Sequence, residues 1–288
     1  MIPAAFEYHR PATVDEALQL LQRLPEAKLL AGGHSLLPLM KLRVISPPHV
    51  IDLGRLQELR GIRDGRERIT IGALTTHWQI ESSDLIRTRL PLLAEAAARI
   101  GDVQVRNAGT IGGSLVHADP AADYPAAVLV LEAELVARGP RGERTIRAHE
   151  FFTGVLTSAV EHDEVLTEVR LPRIPQGTGA AYLKFAHPAS GFAVVGVAAW
   201  VRRAGGRFTE VRVGVTGVGP AAYRARGVER ALAGQTAGDA AIVAAAEQAA
   251  DGVDVNEDLF ANASYRSHLA RVFTKRALRA ALERAGES

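Results

Sequence analysis

Cysteine is absent from all 288 residues. Disulfides, thiolate zinc sites, catalytic thiols and cysteine-held iron–sulfur clusters are therefore excluded within the chain. An excess of one charge is lacking as well: 34 basic and 32 acidic residues leave a net charge of +2. With no Lys/Arg block and no interleaving of aromatic and basic residues, no nucleic-acid partner is expected. No run of about 20 uncharged apolar residues occurs, so no membrane span is expected. The opening MIPAAFEYHRP has no charged stretch followed by an apolar one, so a signal peptide is not expected and a cytoplasmic location is. Neither HExxH nor GxSxG occurs, and the nine histidines form no His-x-His set with a nearby acid, so no metal and no serine nucleophile are expected. Trp78 and Trp200 are expected in the core or at an interface.

What is present is a chain that is 47% apolar and long enough for two domains. TVDEALQLLQRL pairs Thr13 with Glu16 as a capping box, ahead of an apolar stripe at Ala17, Leu18, Leu21 and Leu24. AKLLAGG predicts a short buried strand, and HVIDL and RITIGAL two more. LPLLAEAAARIG predicts a helix with Pro91 near its start and Gly101 at its end. DPAADYPAAVLVLEA predicts another helix, ELVARGPRGERTIRA a hairpin, and EVLTEVRLP a strand ending at Pro172. RIPQGTGAA breaks the pattern and marks a boundary. Beyond it, three long apolar strands (AAYLKFAHP, FAVVGVAAWVRRAGG, RFTEVRVGVTGVG) predict an antiparallel sheet. Two helices follow, GDAAIVAAAEQAA and SYRSHLARVFTKRALRAALERA. The expected domains are 1–175, with subdomains about 1–55 and 56–175, and 176–288.

Two segments carry chemistry: AGGHSLLPLMKLR at 31–43 and GTIGGSLVHADPAADYP at 109–125. Each places a glycine pair and a small polar residue at a strand-to-helix turn. Loop amides there form an anion-binding nest, and the following helix adds its dipole. Neither segment matches the Walker pattern or GxGxxG. Ser35, Thr110 and Ser114 could donate hydroxyls to a phosphate or polyol, and Asp119 or Asp123 could accept from ribose or ribityl hydroxyls. Read singly, each glycine pair is more often a plain turn, and DPAAD more often a helix N-cap with a first-turn acid; it is their joint occurrence that points to a ligand.

Together with FEYHRPATVDEALQLL and SYRSHLARVFTKRAL, these segments resemble the flavin-binding medium subunits of the molybdenum hydroxylases, the xanthine dehydrogenase and aerobic carbon monoxide dehydrogenase family. The resemblance spans essentially the whole chain. It implies an α+β fold: a two-subdomain α/β FAD-binding module of the PCMH type, followed by a C-terminal antiparallel sheet with helices. It implies FAD as cofactor, wrapped at its pyrophosphate by the backbone of Leu30, Ala31, Gly32, Gly33, His34, Ser35, Leu36 and Leu37. Thr110, Ile111, Gly112, Gly113, Ser114 and Leu115 would meet it from the other side. Asp123 would contact the adenosine side with Asp119 beside it, and Leu166 and Lys184 would lie near the flavin ring. Phe192 stands where the carbon monoxide enzymes tend to carry a tyrosine beside the ring. His117 replaces a common asparagine and is expected as a loop histidine bonded to backbone.

The resemblance further implies an oxidoreductase subunit that takes electrons from [2Fe–2S] clusters of a small partner subunit and passes them via FAD to an external acceptor. Molybdopterin would sit on a large partner subunit, in a dimer of heterotrimers. The missing cysteines agree, since this chain could hold only the flavin stage. The other readings are a stand-alone FAD-dependent oxidase or dehydrogenase, and a non-catalytic assembly module that has lost FAD. The opening and AGGHSLLPLMK are most like the carbon monoxide branch.

Overall fold

The computed structural model describes residues 1–286 and has an α+β architecture. Its N-terminal part is a βαβαβ unit. Strand Glu7–His9 leads through helix Val14–Arg23 to strand Lys28–Leu30, then through the short helix Leu36–Lys41 to strand His49–Asp52. The three strands are parallel, with His49–Asp52 in the middle. Thr13 caps the first helix by accepting from the Glu16 amide. The Glu16 carboxylate reaches back to the Ala12 amide rather than to that of Thr13, so the capping box closes one residue early. Val14, Ala17, Leu18 and Leu21 of this helix are buried against Ile51 and Leu53. Strand Lys28–Leu30 is not the buried strand the sequence predicted: Lys28 is exposed, and Leu29 and Leu30 are half-buried. The first glycine segment begins where this strand ends. That is the carboxyl end of a parallel strand, where ligands collect in α/β sheets.

A five-stranded antiparallel sheet follows, ordered Ile62–Asp64, Arg68–Gly72, Val165–Pro172, Glu134–Gly139, Gly142–Arg147. Helices from the segment between its second and fourth strands pack against it. Pro91 stands at the first position of Pro91–Ala98, where its missing amide costs nothing. Three helices there, His77–Ser82, Asp84–Arg89 and Val103–Ala108, are too short to leave an amphipathic period in the sequence. The expected helix after Asp119 begins only at Tyr124, because residues 119–122 form a turn closed by the Ala122 amide on the Asp119 carbonyl.

Residues 173–178 lead to a four-stranded antiparallel sheet of Gly179–Ala186, Ala193–Ala204, Arg207–Thr216 and Tyr223–Arg224. Alternation splits its faces. Ala180, Tyr182, Ala198 and Trp200 join the core of the preceding sheet and helices. Ala181, Val197, Ala199 and Val201 face a second core under helices Asp239–Ala246 and Ala263–Arg284. A strand buried on both faces reads as an unbroken apolar run, which is what AVVGVAAWV is. The sequence predicted two helices here; a third, Arg226–Leu232, precedes them. Trp200 is buried beneath the Arg212 guanidinium, whereas Trp78 is half exposed and is no core residue. Among the described residues no helix is long and apolar enough to cross a membrane.

Candidate functional site

A cavity of about 740 Å³ opens between the N-terminal parallel sheet and the helices that follow it. That volume lies within the range typical of cofactor clefts. One wall is the first glycine segment, with Ala31, Gly32, Gly33, His34, Ser35 and Leu36 on its surface. Facing it are Thr110, Gly112, Gly113 and Ser114 of the second. Asp119, Asp123, Leu166 and Phe192 complete the named residues that line it.

The first wall presents free backbone donors to the cavity. Among the described residues, nothing in the chain accepts a hydrogen bond from the amides of Gly32, Gly33, His34, Ser35 or Leu36. These residues are half-buried or, at His34, exposed, and Ser35 and Leu36 open a helix, so their amides stay free for solvent or a ligand. Gly33 has φ +76°, the left-handed turn that lets successive amides converge as an anion nest. The Ser35 hydroxyl makes no capping hydrogen bond and has no partner among the described residues.

The second wall differs from what the sequence predicted. Its amides are spent inside the fold. Ile111 donates to the Thr75 carbonyl at 3.0 Å and Gly112 to the Ala73 carbonyl at 2.9 Å. Gly113 donates to Thr110 Oγ1 at 3.1 Å and Ser114 to the Thr110 carbonyl at 3.0 Å. Thr110 is thus the N-cap of helix Ile111–His117. The glycines serve packing. A Cβ on Gly112 would come within 2.6 Å of Ala73 Cβ, and one on Gly32 would land on the Ala108 carbonyl oxygen. The two segments touch at Gly32 and enclose the cavity from there. What the second wall offers a ligand is side chains, chiefly the Ser114 hydroxyl and the His117 ring.

The other named residues sort by position. Ile111 and Leu115 are fully buried core residues. Leu30 and Leu37 stand beside the first wall without lining the cavity, and neither does Lys184. The Lys184 ammonium, expected near a flavin ring, donates to Asp123 Oδ2 at 2.9 Å and to the Arg99 carbonyl at 2.7 Å. Tyr182 donates its hydroxyl to Asp123 Oδ1 at 2.6 Å. Both carboxylate oxygens of Asp123 are therefore engaged by the chain. Asp123 is 4% exposed. Burial pushes its carboxyl up to about 6, against the pull of Lys184 and Tyr182. Asp119 Oδ1 accepts from the Ala121 amide at 2.8 Å, which shapes the turn. Phe192 lies at the mouth, 46% exposed. His117 ends a helix and lines the cavity, so it is not a loop histidine.

Two residues of the site escaped the sequence reading. Tyr182 lies two positions before Lys184 on one strand, hence on the same face, and YLK carried that signal. His77 lines the cavity and is nearly buried, with Nδ1 unpaired and its ring edge-on to Tyr124. Burial, then the charges of His34 and Arg106, lower its pKa to about 3, so the imidazole is neutral. Its cue was the capping box Thr76–Gln79, which sets His77 at the first position of a helix.

Residues 4–174 match the family described as the FAD binding domain in molybdopterin dehydrogenase, and residues 180–281 the CO dehydrogenase flavoprotein C-terminal domain. The chain is 45% identical over 285 residues to the carbon monoxide dehydrogenase medium chain of Hydrogenophaga pseudoflava, covering 99% of each. It is 38% identical to the 6-hydroxypseudooxynicotine dehydrogenase complex subunit alpha of Paenarthrobacter nicotinovorans, covering 99% of this chain and 97% of that one. The solved carbon monoxide dehydrogenase of Hydrogenophaga pseudoflava superposes with a TM-score of 0.97 at 46% identity, over 99% of this chain and 100% of that one.

Proposed function

The chain belongs to the FAD-binding medium subunits of the molybdenum hydroxylases, and on that premise we propose that it is the electron-transfer subunit of such an enzyme. It takes electrons from [2Fe–2S] clusters on a small partner subunit and delivers them to an external acceptor. A large molybdopterin subunit completes a heterotrimer, which dimerises. The observation that carries this reading is the run of unpartnered amides from Gly32 to Leu36 facing the second glycine segment across the cavity. An anionic, elongated ligand fits that arrangement, and FAD is such a ligand. Bound FAD supplies the redox chemistry, exchanging electrons singly or in pairs.

The chain's own residues do the holding and the tuning. The amides of Gly32 to Leu36 and the Ser35 hydroxyl bind the pyrophosphate. Ser114, His117 and Asp119 contact the ligand from the opposite wall. Leu166 and Phe192 offer apolar surface to the flavin rings. Phe192 can pack but cannot donate a hydrogen bond, as a tyrosine would. Lys184 acts through Asp123: it keeps that carboxylate oriented and partly neutralised at the cavity floor. No group in this chain need touch the substrate hydroxylated on the large subunit.

The test is a comparison of the chain alone with the chain coexpressed with its partner subunits. FAD should be released on heating from both, one per chain. A molybdenum hydroxylase substrate should bleach the flavin absorption only in the assembled enzyme. Substrate-driven bleaching in the isolated chain would overturn the electron-transfer assignment.

A further inference from the structure

Outside the cavity, the edge of the N-terminal parallel sheet gathers three groups of metal-binding chemistry. Glu7 and His9 lie two apart on strand Glu7–His9, and in the parallel register Glu7 pairs with His49 of the central strand. His9 Nε2 and His49 Nδ1 stand 3.3 Å apart. Glu7 Oε2 is 3.4 Å from His49 Nδ1 and 3.9 Å from His9 Nε2. A tetrahedral Zn²⁺ with bonds of about 2.0–2.1 Å holds its ligand atoms about 3.3–3.4 Å apart. Two of the three separations already match one face of that tetrahedron. The third closes with a small rotation of Glu7, whose side chain is 74% exposed and free to turn. Both imidazoles are about three-quarters buried and so are held in place, with side-chain exposures of 24% and 22%.

We propose that Glu7, His9 and His49 form a binding site for a divalent transition cation of the Zn²⁺ class. Two neutral imidazoles and one carboxylate suit such an ion, whereas Ca²⁺ and Mg²⁺ prefer oxygen ligands alone. With three protein ligands, water takes the fourth position. The adjacent cation, Arg10, is turned to Asp52 at 3.7 Å, so it does not neutralise the Glu7 carboxylate. The ion would tie the first strand of the chain to the central strand of its sheet, joining residues 40 apart. The alternative occupant of the same geometry is a proton shared between the two rings. No spacing motif announced the site, because the ligands meet only through the parallel register.

The FAD-loaded full chain is titrated with Zn²⁺ by calorimetry in a non-chelating buffer, and in parallel with Co²⁺. One equivalent of Zn²⁺ should bind, Co²⁺ should develop tetrahedral visible bands, and the thermal midpoint should rise with added Zn²⁺. His9→Gln and His49→Gln should each weaken binding by at least about tenfold. Glu7→Gln, at an exposed position where folding is not at stake, should weaken it less and shift the Co²⁺ bands. Flavin content should be the same in all four proteins. Absence of Zn²⁺ uptake by the native chain overturns the proposal in favour of the shared proton. Equal uptake by the native chain and all three variants overturns it in favour of other histidines. Neither result bears on the flavin reading, whose readout is separate.

Discussion

The first glycine segment leaves the amides of Gly32 to Leu36 without partners, while the second consumes every amide from Ile111 to Ser114 inside the fold. In the sequence the two look like variants of one device: AGGHS and IGGSL, each between a strand-like stretch and a helix. The contrast shows that a glycine pair reports close approach without saying what approaches. At 32–33 the loop closes on its neighbour at Gly32 and then turns left-handed at Gly33, which frees donors. At 112–113 a helix start is pressed onto the Ala73 strand end, and hydrogen bonds to Ala73 and Thr75 absorb the donors. One wall of the cavity thus presents free donors, and the other is a scaffold bearing polar side chains.

The largest test of that division is Lys184→Met. Lys184 and Asp123 are an almost fully buried pair behind the scaffold wall, with 3% and 4% of their side chains exposed. Removing the ammonium leaves a buried carboxylate with only Tyr182, at a cost of about 3–5 kcal/mol near neutral pH. The sign follows from linkage. The Asp123 carboxyl already titrates at about 6 in the fold, above its ordinary 3.8. A carboxyl raised in this way binds its proton more tightly folded than unfolded, so stability is highest at low pH and falls as pH rises through the folded value. Without Lys184 that value climbs further. The variant's deficit in urea unfolding should therefore grow as pH rises past about 6. A deficit independent of pH would mean that Lys184 serves packing alone.

A paired comparison comes next in size. Gly112→Ala forces a methyl against Ala73 and should cost apo-protein stability about 1–3 kcal/mol. The FAD dissociation constant of the folded fraction should change little. Gly33→Ala places an ordinary residue at φ +76°, with its Cβ 2.8 Å from Leu37 Cδ1. The strain is about 1–2 kcal/mol, and its relief flattens the nest, so FAD should bind about tenfold more weakly, the equivalent of roughly one charge-assisted hydrogen bond. Chemical denaturation and flavin titration of both variants separate the effects. Equal losses of affinity in the two would return both segments to one role.

Much of this was legible in the sequence, for identifiable reasons. Val14–Arg23 announced itself through Thr13, Glu16 and an apolar stripe, and Ala193–Ala204 through an apolar run that only a strand buried on both faces explains. Short helices such as Val103–Ala108 span under two turns and leave no period to read. At the site, Ser35, Thr110 and Ser114 could be named from their place beside the glycines, whereas the other lining residues of the two segments came from the family resemblance. Whether an amide is free could not be read, because its acceptor lies on another element, as the Ala73 carbonyl does for Gly112. The Lys184–Asp123 pair escaped for the same reason: the two residues lie 61 apart in the chain.

The smallest test exchanges single hydroxyls. Thr110 Oγ1 accepts from the Gly113 amide and so caps the helix of the scaffold wall, whereas the Ser35 hydroxyl has no partner among the described residues. Thr110→Val removes the cap and should lower stability by about 1 kcal/mol. Ser35→Ala removes nothing the fold uses, so stability should stay within about 0.5 kcal/mol. Affinity should respond in the opposite sense. Losing one hydrogen bond to the charged pyrophosphate is worth about 1.5 kcal/mol, near a tenfold rise in the FAD dissociation constant for Ser35→Ala. For Thr110→Val the constant should hold or even improve, since the Gly113 amide, deprived of its cap, becomes one more free donor at the cavity surface. An affinity loss in Thr110→Val larger than in Ser35→Ala would mean that the scaffold wall also grips the ligand through its hydroxyl.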